Sequence, residues 1–222
     1  MIEIPVHDMA GKQVDTMKVD EALLGGEVRP DLLKQAYVRF HANRRQGSAK
    51  TSSRSETSYS TRKLYRQKGT GSARRGPAGT NIMRGGAMAH AKRPHSYRKG
   101  MPTKMRRLAN RNSLLAKLVD QEVKVVDKLD FEKPSTKAFS ALLEALKIDR
   151  TCLFALQSVT GATARSARNI ENVHLTQIDR LNAFDVLNNR YLLVDKQSLE
   201  GWLQTAKTQA GDIEASNDGE AG

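Results

Sequence analysis

Helical and strand periods alternate along most of this chain and predict an α/β protein: a three-layer domain with a mainly parallel sheet, plus a long extended basic loop inserted between two helices. Three observations carry that expectation. Short apolar runs recur between stretches with apolar residues at helical spacing, the order that builds a parallel sheet with right-handed crossovers. One run, Thr151 to Leu156, is apolar enough for a strand buried on both faces. From Gly47 to Gly100 the hydrophobic period vanishes, and most of the positive charge lies there.

The chain has 222 residues and a net charge of +13, from 37 basic and 24 acidic side chains. Between His41 and Arg111 stand 19 basic residues and one acidic residue, Glu56, so that stretch is +18 and the remainder is −5. With about 70 residues outside any core, about 150 remain, enough for one self-supporting domain. Charge of this kind describes partners rather than fold and points to a polyanion. A single cysteine, Cys152, excludes an internal disulfide; its apolar surroundings predict a buried, inert thiol. No window approaches 18 uninterrupted apolar residues, so no membrane span is expected. The N-terminus lacks the basic and apolar regions of a signal peptide, and a soluble cytoplasmic protein is expected.

In chain order, Ile2, Ile4 and Val6 alternate with other residues as in a short strand, and Val14, Met17 and Val19 fit a second one. Pro30 suits the first turn of a helix running to about Asn43, with Leu33, Tyr37 and Phe40 on one face. After the basic segment, Thr103 is placed to cap a helix running to about Val119. Met105, Leu108, Leu115 and Val119 form its stripe, with Asn112 among them. Val123–Val126 reads as a strand and Pro134–Leu146 as a helix with Phe139, Leu142, Leu143 and Leu146 inward. Short helices are expected at Thr163–Asn169 and Leu181–Leu187, and strands at Val173–Leu175 and Tyr191–Val194. Ser198 is placed to cap a last helix through about Lys207, with Leu199, Trp202 and Leu203 inward. The organisation expected is residues 1–46 as the N-terminal strands and first helix, 47–101 as an extended basic RNA-binding arm, 102–210 as the rest of the α/β domain, and 211–222 as a disordered acidic tail.

The basic segment cannot bury enough apolar surface to offset the entropy of ordering it. Phosphate neutralisation with counterion release supplies the missing partner. Doubled back as a hairpin, limbs of about 25 residues would reach at most roughly 80 Å. Acidic interleaving is nearly absent, and Tyr59, Tyr65 and Tyr97 are spaced through the run where they could stack on bases.

Other chemistry finds little support. Gly69-Thr70-Gly71 resembles a phosphate-cradling loop, but it lies between no strand and helix and lacks a closing Gly-Lys-Ser/Thr. Close backbone approach to RNA phosphate is the better reading. His7, His41, His90, His95 and His174 form no metal-ligand spacing, so no metal and no cofactor are expected. No Gly-rich turn follows the first strand. Asp127, Asp130, Asp149 and Asp179 fall where turns and helix ends are expected, and no catalytic residue is assigned.

Several strings carry a resemblance. They are Asn43-Arg44-Arg45-Gln46-Gly47, Arg54-Ser55-Glu56, Tyr65-Arg66-Gln67-Lys68-Gly69-Thr70-Gly71, Arg84-Gly85-Gly86, and Pro102-Thr103-Lys104-Met105-Arg106-Arg107-Leu108-Ala109. In order and spacing the chain resembles the family of the universal large-subunit ribosomal protein four, in its bacterial form. The resemblance implies a structural constituent of the large ribosomal subunit, with no enzymatic activity, working in the cytoplasm in subunit assembly and translation. The α/β domain would sit at the solvent side of the subunit. The arm would penetrate large-subunit rRNA, contact neighbouring ribosomal proteins, and help line the exit tunnel beside the nascent peptide. The tip region would comprise Lys63, Tyr65, Arg66, Gln67, Lys68, Gly69, Thr70 and Gly71. The remaining RNA contacts expected are Arg44, Arg45, Lys50, Arg54, Arg62, Arg74, Arg75, Arg84, Gly85, Gly86, Lys92, Arg93, Arg98, Lys99, Lys104, Arg106, Arg107 and Arg111. The chain departs from the family pattern at Tyr59-Ser60-Thr61, where a Gly-rich run is common, at Leu64 in place of Pro, at Tyr65 in place of Trp, and at Ser72, Ala87 and His90.

Two other readings use the same residues. A free RNA-binding regulator or RNA chaperone would carry an identical arm. An α/β enzyme with a basic lid over a nucleotide or phosphorylated substrate would need convergent acid and base groups at strand ends, which the sequence does not offer.

Overall fold

The computed structural model describes residues 1–131 and 133–218, with side chains no further than residue 208. The chain divides into two units, Met1–His41 with Gly100–Gly222, and Ala42–Lys99. The first unit is a sheet covered by helices.

Alternating Ile2, Ile4 and Val6 form β1 (Ile2–His7), and a turn through Gly11 returns the chain as β2 (Gln13–Val19), antiparallel to it. With β3 (Val123–Val126), β4 (Cys152–Leu156), β5 (Val173–Gln177) and β6 (Tyr191–Asp195) they make a six-stranded sheet in the order β2-β1-β3-β6-β4-β5. Every pairing other than β1–β2 is parallel. The expected mainly parallel sheet is therefore present, with β2 as its antiparallel edge.

The two faces of the sheet carry separate cores because strand side chains alternate. Val125, Leu153, Ala155, Leu192 and Val194 face one core, together with Leu114, Leu115 and Leu118 of α2 (Thr103–Val119), Val186 of α5 (Ala183–Asn188) and Leu199 of α6 (Lys196–Asp218). Val126, Cys152, Phe154, Leu156 and Leu193 face the other, under Phe139, Leu142 and Leu143 of α3 (Thr136–Ala145) and Ala164 and Ala167 of α4 (Ala162–Ala167). This is the expected three-layer arrangement. A smaller cluster joins α1 (Pro30–Asn43) through Ala36 to Ala109 and Ala183. Phe40 stacks on Phe184 with centroids 4.5 Å apart, and Tyr37 lies 4.8 Å from the same ring.

Several local expectations are corrected. Thr103 is the first helical residue of α2 rather than its cap; Pro102 precedes it and offers no side-chain bond. Val119 is exposed, while Leu114 and Leu118 are buried, because the second half of α2 is covered around most of its circumference. Helix α6 begins at Lys196, ahead of Ser198, whose hydroxyl donates to the Asp195 carboxylate at 3.4 Å. Burial raises the Asp195 carboxyl above its ordinary range, against the hydrogen bonds from Ser198. Helix α6 also runs to Asp218, past the expected end near Lys207, with no proline along that stretch to break it. The last four residues of the expected tail lie outside the described residues.

At the amino ends of β3 and β6 a buried ion pair closes the sheet. Lys117 and Glu122 meet at 2.5 Å, and the Arg190 Nε reaches the other Glu122 oxygen at 2.7 Å.

Candidate nucleic-acid interface

The second unit, residues 42–99, holds fifteen Lys or Arg and one carboxylate, Glu56. It contains no strand, and helix only where α1 ends at Asn43. Its one buried apolar residue is Ala87. What orders this unit is a ladder of backbone and polar bonds.

The ladder has an antiparallel register. The Asn43 side chain donates to the Lys99 carbonyl at 3.3 Å and accepts from its N–H at 2.8 Å. Next, the His95 N–H donates to the Gly47 carbonyl at 3.1 Å. Thr51 and Lys92 exchange two bonds, of 3.1 Å to the Lys92 carbonyl and 2.8 Å to the Thr51 hydroxyl. Then the Met88 N–H meets the Ser52 carbonyl at 3.2 Å. The two limbs therefore double back as a hairpin, with rungs too sparse to make a regular strand pair.

Past these rungs the chain makes two compact turns. In one, Tyr59 donates to the Gly85 carbonyl at 2.8 Å, across a lobe closed by Ala87 N–H to Gly79 carbonyl at 3.2 Å. A Cβ on Gly86 would lie 2.0 Å from the Thr80 carbonyl oxygen, so only glycine fits. The other is the Gly69–Gly71 turn. There the Leu64 N–H reaches the Gly76 carbonyl at 3.3 Å, and the Lys63 ammonium holds Gln67 Oε1 at 2.8 Å and the Arg75 carbonyl at 3.0 Å. The Tyr65 hydroxyl donates to the Ala73 carbonyl, and Arg66 donates to the Gly69 carbonyl at 2.7 Å. Gly69 and Gly71 take left-handed backbone (φ +77° and +68°). The Gly69-Thr70-Gly71 string is thus a turn in a basic hairpin, between neither strand nor helix.

Every Lys and Arg of this unit is exposed. That includes the expected contacts Arg44, Arg45, Lys50, Arg54, Arg62, Lys63, Arg66, Lys68, Arg74, Arg75, Arg84, Lys92, Arg93, Arg98 and Lys99. Glu56 meets Lys50 at 2.9 Å and accepts from the Ser53 N–H at 3.1 Å; its hydrogen bond with Lys50 holds its carboxyl below the usual range. One carboxylate for fifteen cations leaves a strong uncompensated field.

The other expected contacts lie on α2, in the first unit. Lys104, Arg106 and Arg107 are exposed. Arg111 is not: its guanidinium is partly buried, donates to the Leu23 carbonyl at 3.4 Å and leaves Nε without a partner. Desolvation, then the charge of Arg107, lowers its pKa. Arg111 is built into the packing of its unit, and its helix position alone could not reveal that. Asn43 and Tyr59, which hold the hairpin together, were also missed as arm-ordering residues. The signal for Asn43 was available, since a helix-terminal Asn is a habitual partner for stray backbone groups. Among the described residues no three His, Cys, Asp or Glu side chains gather as metal ligands, and no helix is long and apolar enough to cross a membrane.

Comparison with known proteins agrees with this geometry. Residues 17–204 match the sequence profile of the Ribosomal protein L4/L1 family. The large ribosomal subunit protein uL4 of Dehalococcoides mccartyi is 38% identical over 198 residues, covering 89% of this chain and 94% of that protein. Proteins of the same name from Symbiobacterium thermophilum and Rhodopirellula baltica are 38% identical over 187 residues and 32% identical over 222 residues. They cover 84% and 100% of this chain, and 90% and 99% of their own lengths.

Proposed function

The chain belongs to the ribosomal protein L4/L1 family, and from that premise we propose that it is a structural constituent of the large ribosomal subunit that binds large-subunit rRNA through its basic hairpin. It works in the cytoplasm as part of that subunit, in assembly and translation, beside neighbouring ribosomal proteins, and catalyses no reaction. The observation that carries the reading is the second unit itself: fifteen exposed cations against one carboxylate, on a ladder with a single buried apolar side chain. Such a segment gains most by packing against phosphate, where each neutralised charge releases counterions.

The turn that carries Lys63, Tyr65, Arg66, Gln67, Lys68, Gly69, Thr70 and Gly71 is proposed to help line the exit tunnel beside the nascent peptide. In support, Lys63, Tyr65 and Arg66 are hydrogen-bonded back onto groups of the same turn, which holds the turn together. The cations on both limbs other than Arg45, with Lys104, Arg106 and Arg107, are proposed as backbone-positioning contacts that carry no base specificity.

Two measurements test this. In a sucrose gradient of cell extract the protein should sediment with the large subunit; a protein that stays at the top would be a free regulator instead. If about six to ten cations meet phosphates, affinity for large-subunit rRNA fragments should fall roughly 10³- to 10⁵-fold between 50 and 200 mM salt. A flat salt response would refute phosphate binding by the hairpin.

A further inference from the structure

Phosphate binding leaves one cluster in the second unit unexplained. The Arg45 guanidinium lies 3.5 Å from the centroid of the Tyr97 ring, and the His95 ring lies 4.2 Å from it, tilted by 55°. The three groups are brought together where the His95 N–H bonds Gly47. Gly47 is in left-handed backbone (φ +70°), and a Cβ there would sit 2.1 Å from the His95 carbonyl oxygen and 3.1 Å from the Tyr97 ring. The close approach that builds the cluster thus requires glycine. Beside the cluster opens a hollow of about 530 Å³, and Lys92 and Arg93 stand in its wall. Tyr97 is half-buried, while Arg45 and His95 are exposed.

A phosphate needs cations and hydrogen-bond donors; it gains nothing from an aromatic ring held under a guanidinium. An apolar ligand would gain nothing from Lys92 and Arg93. A planar π-system joined to an anion uses both halves, and in a nucleic acid that is a base with its phosphate. Paired bases keep their faces stacked inside the helix, so the group that can enter is unpaired. Planar guanidinium and aromatic surfaces are the surfaces on which such bases stack.

We propose that this hollow receives one unpaired nucleobase of an RNA strand, stacked on the Arg45–Tyr97–His95 platform, with a flanking phosphate against Lys92 and Arg93. The assignment rests on the reading of the hairpin as an RNA-binding arm, and it adds a recognition of strandedness that charge alone cannot give.

The test uses the full-length protein and two probes with the same number of phosphates, a fluorescent single-stranded oligoadenylate and an RNA duplex of half its length, at one salt concentration. Each variant is compared with the parent on the same probe. Tyr97→Leu should weaken single-strand binding about tenfold and leave duplex binding unchanged. Arg45→Lys keeps the charge, loses the plane and disturbs no buried group. It should weaken single-strand binding in the same selective way with an unchanged salt dependence. Tyr97→Phe retains the ring and should bind like the parent. Selective loss in both Tyr97→Leu and Arg45→Lys supports the platform. Parent-like binding by Arg45→Lys, or equal loss on both RNAs, overturns the platform while the arm reading stands. Failure of the parent protein to bind either RNA overturns the arm reading and this assignment with it.

Discussion

Asn112 is a polar side chain set in the apolar stripe of a core helix, and its hydrogen bonds explain it. It is fully buried; its Oδ1 accepts from the Arg29 N–H at 2.7 Å and its Nδ2 donates to the Glu27 carbonyl at 2.6 Å. The loop ahead of α1 has no strand or helix partner for these groups, so Asn112 takes that place. Leucine would be similar in size and would gain about 2 kcal/mol of apolar burial at most. It would also orphan two backbone groups at about 1–3 kcal/mol each. The second effect is larger, and Asn112→Leu should lower unfolding stability by about 2 kcal/mol. A urea midpoint equal to that of the parent would show that the loop finds other partners. Cys152 is the opposite case, an apolar role filled by a reactive group. Burial, partly offset by the hydrogen bond from the Leu193 backbone, pushes its thiol up to about 12. At pH 8 a thiol reagent should leave it untouched in the folded protein and label it as urea unfolds the chain; labelling of the folded protein at the rate of free cysteine would contradict that burial.

At the scale of elements, what was legible depends on what holds each element. Helix α3 announced itself because Phe139, Leu142 and Leu143 repeat at helical spacing; its start did not, because Ser135, expected inside the helix, caps it and accepts from the Ala138 N–H at 3.3 Å. Strand β4 did so because both of its faces are buried. The exposure of Val119 was illegible, since a periodic stripe says which side faces inward but not where the neighbouring layer ends. The second unit was legible as charge, while its doubling back was no more than one way for the segment to fold. Its rungs were not, because they are backbone bonds and single side chains such as Asn43 and Tyr59, which follow no period. Glycine substitutions separate the two kinds of element. Gly11→Ala meets the Ala145 carbonyl oxygen at 2.7 Å in left-handed backbone, and should destabilise the α/β unit by about 1–3 kcal/mol, or roughly 2–4 °C in Tm per kcal/mol. Gly86→Ala meets the Thr80 carbonyl oxygen at 2.0 Å in a lobe with no core, and should weaken RNA binding with the melting temperature unchanged. Circular-dichroism melts and binding to an rRNA fragment read both. Equal drops in Tm would mean that the lobe is part of the folding unit.

Over the whole molecule, charge and burial are divided between the two units. Residues 42–99 carry fifteen basic side chains and one acidic, a net +14, while the remainder carries 22 basic and 23 acidic, a net −1. Burial runs the other way: every buried residue of the three core clusters lies outside residues 42–99. Stability should therefore come from one unit and RNA affinity from the other. The consequence is a deletion. Removing Ser58–Met88 takes out both compact turns and leaves the rungs from Asn43–Lys99 to Thr51–Lys92, which lie outside the deleted segment. The two new ends must be joined by a short closing linker, and closing a shorter loop costs the chain less entropy than closing the long one. No residue of the three cores is lost, and a surplus of like charge that repels itself in the free protein is reduced. The shortened protein should unfold in a single cooperative transition, at a urea midpoint no lower than that of the parent. Its affinity for large-subunit rRNA and its salt dependence should both fall, because phosphate contacts are removed. A broad, non-cooperative transition would show that the hairpin supports the α/β unit, and an unchanged salt dependence would show that the deleted cations do not meet phosphate.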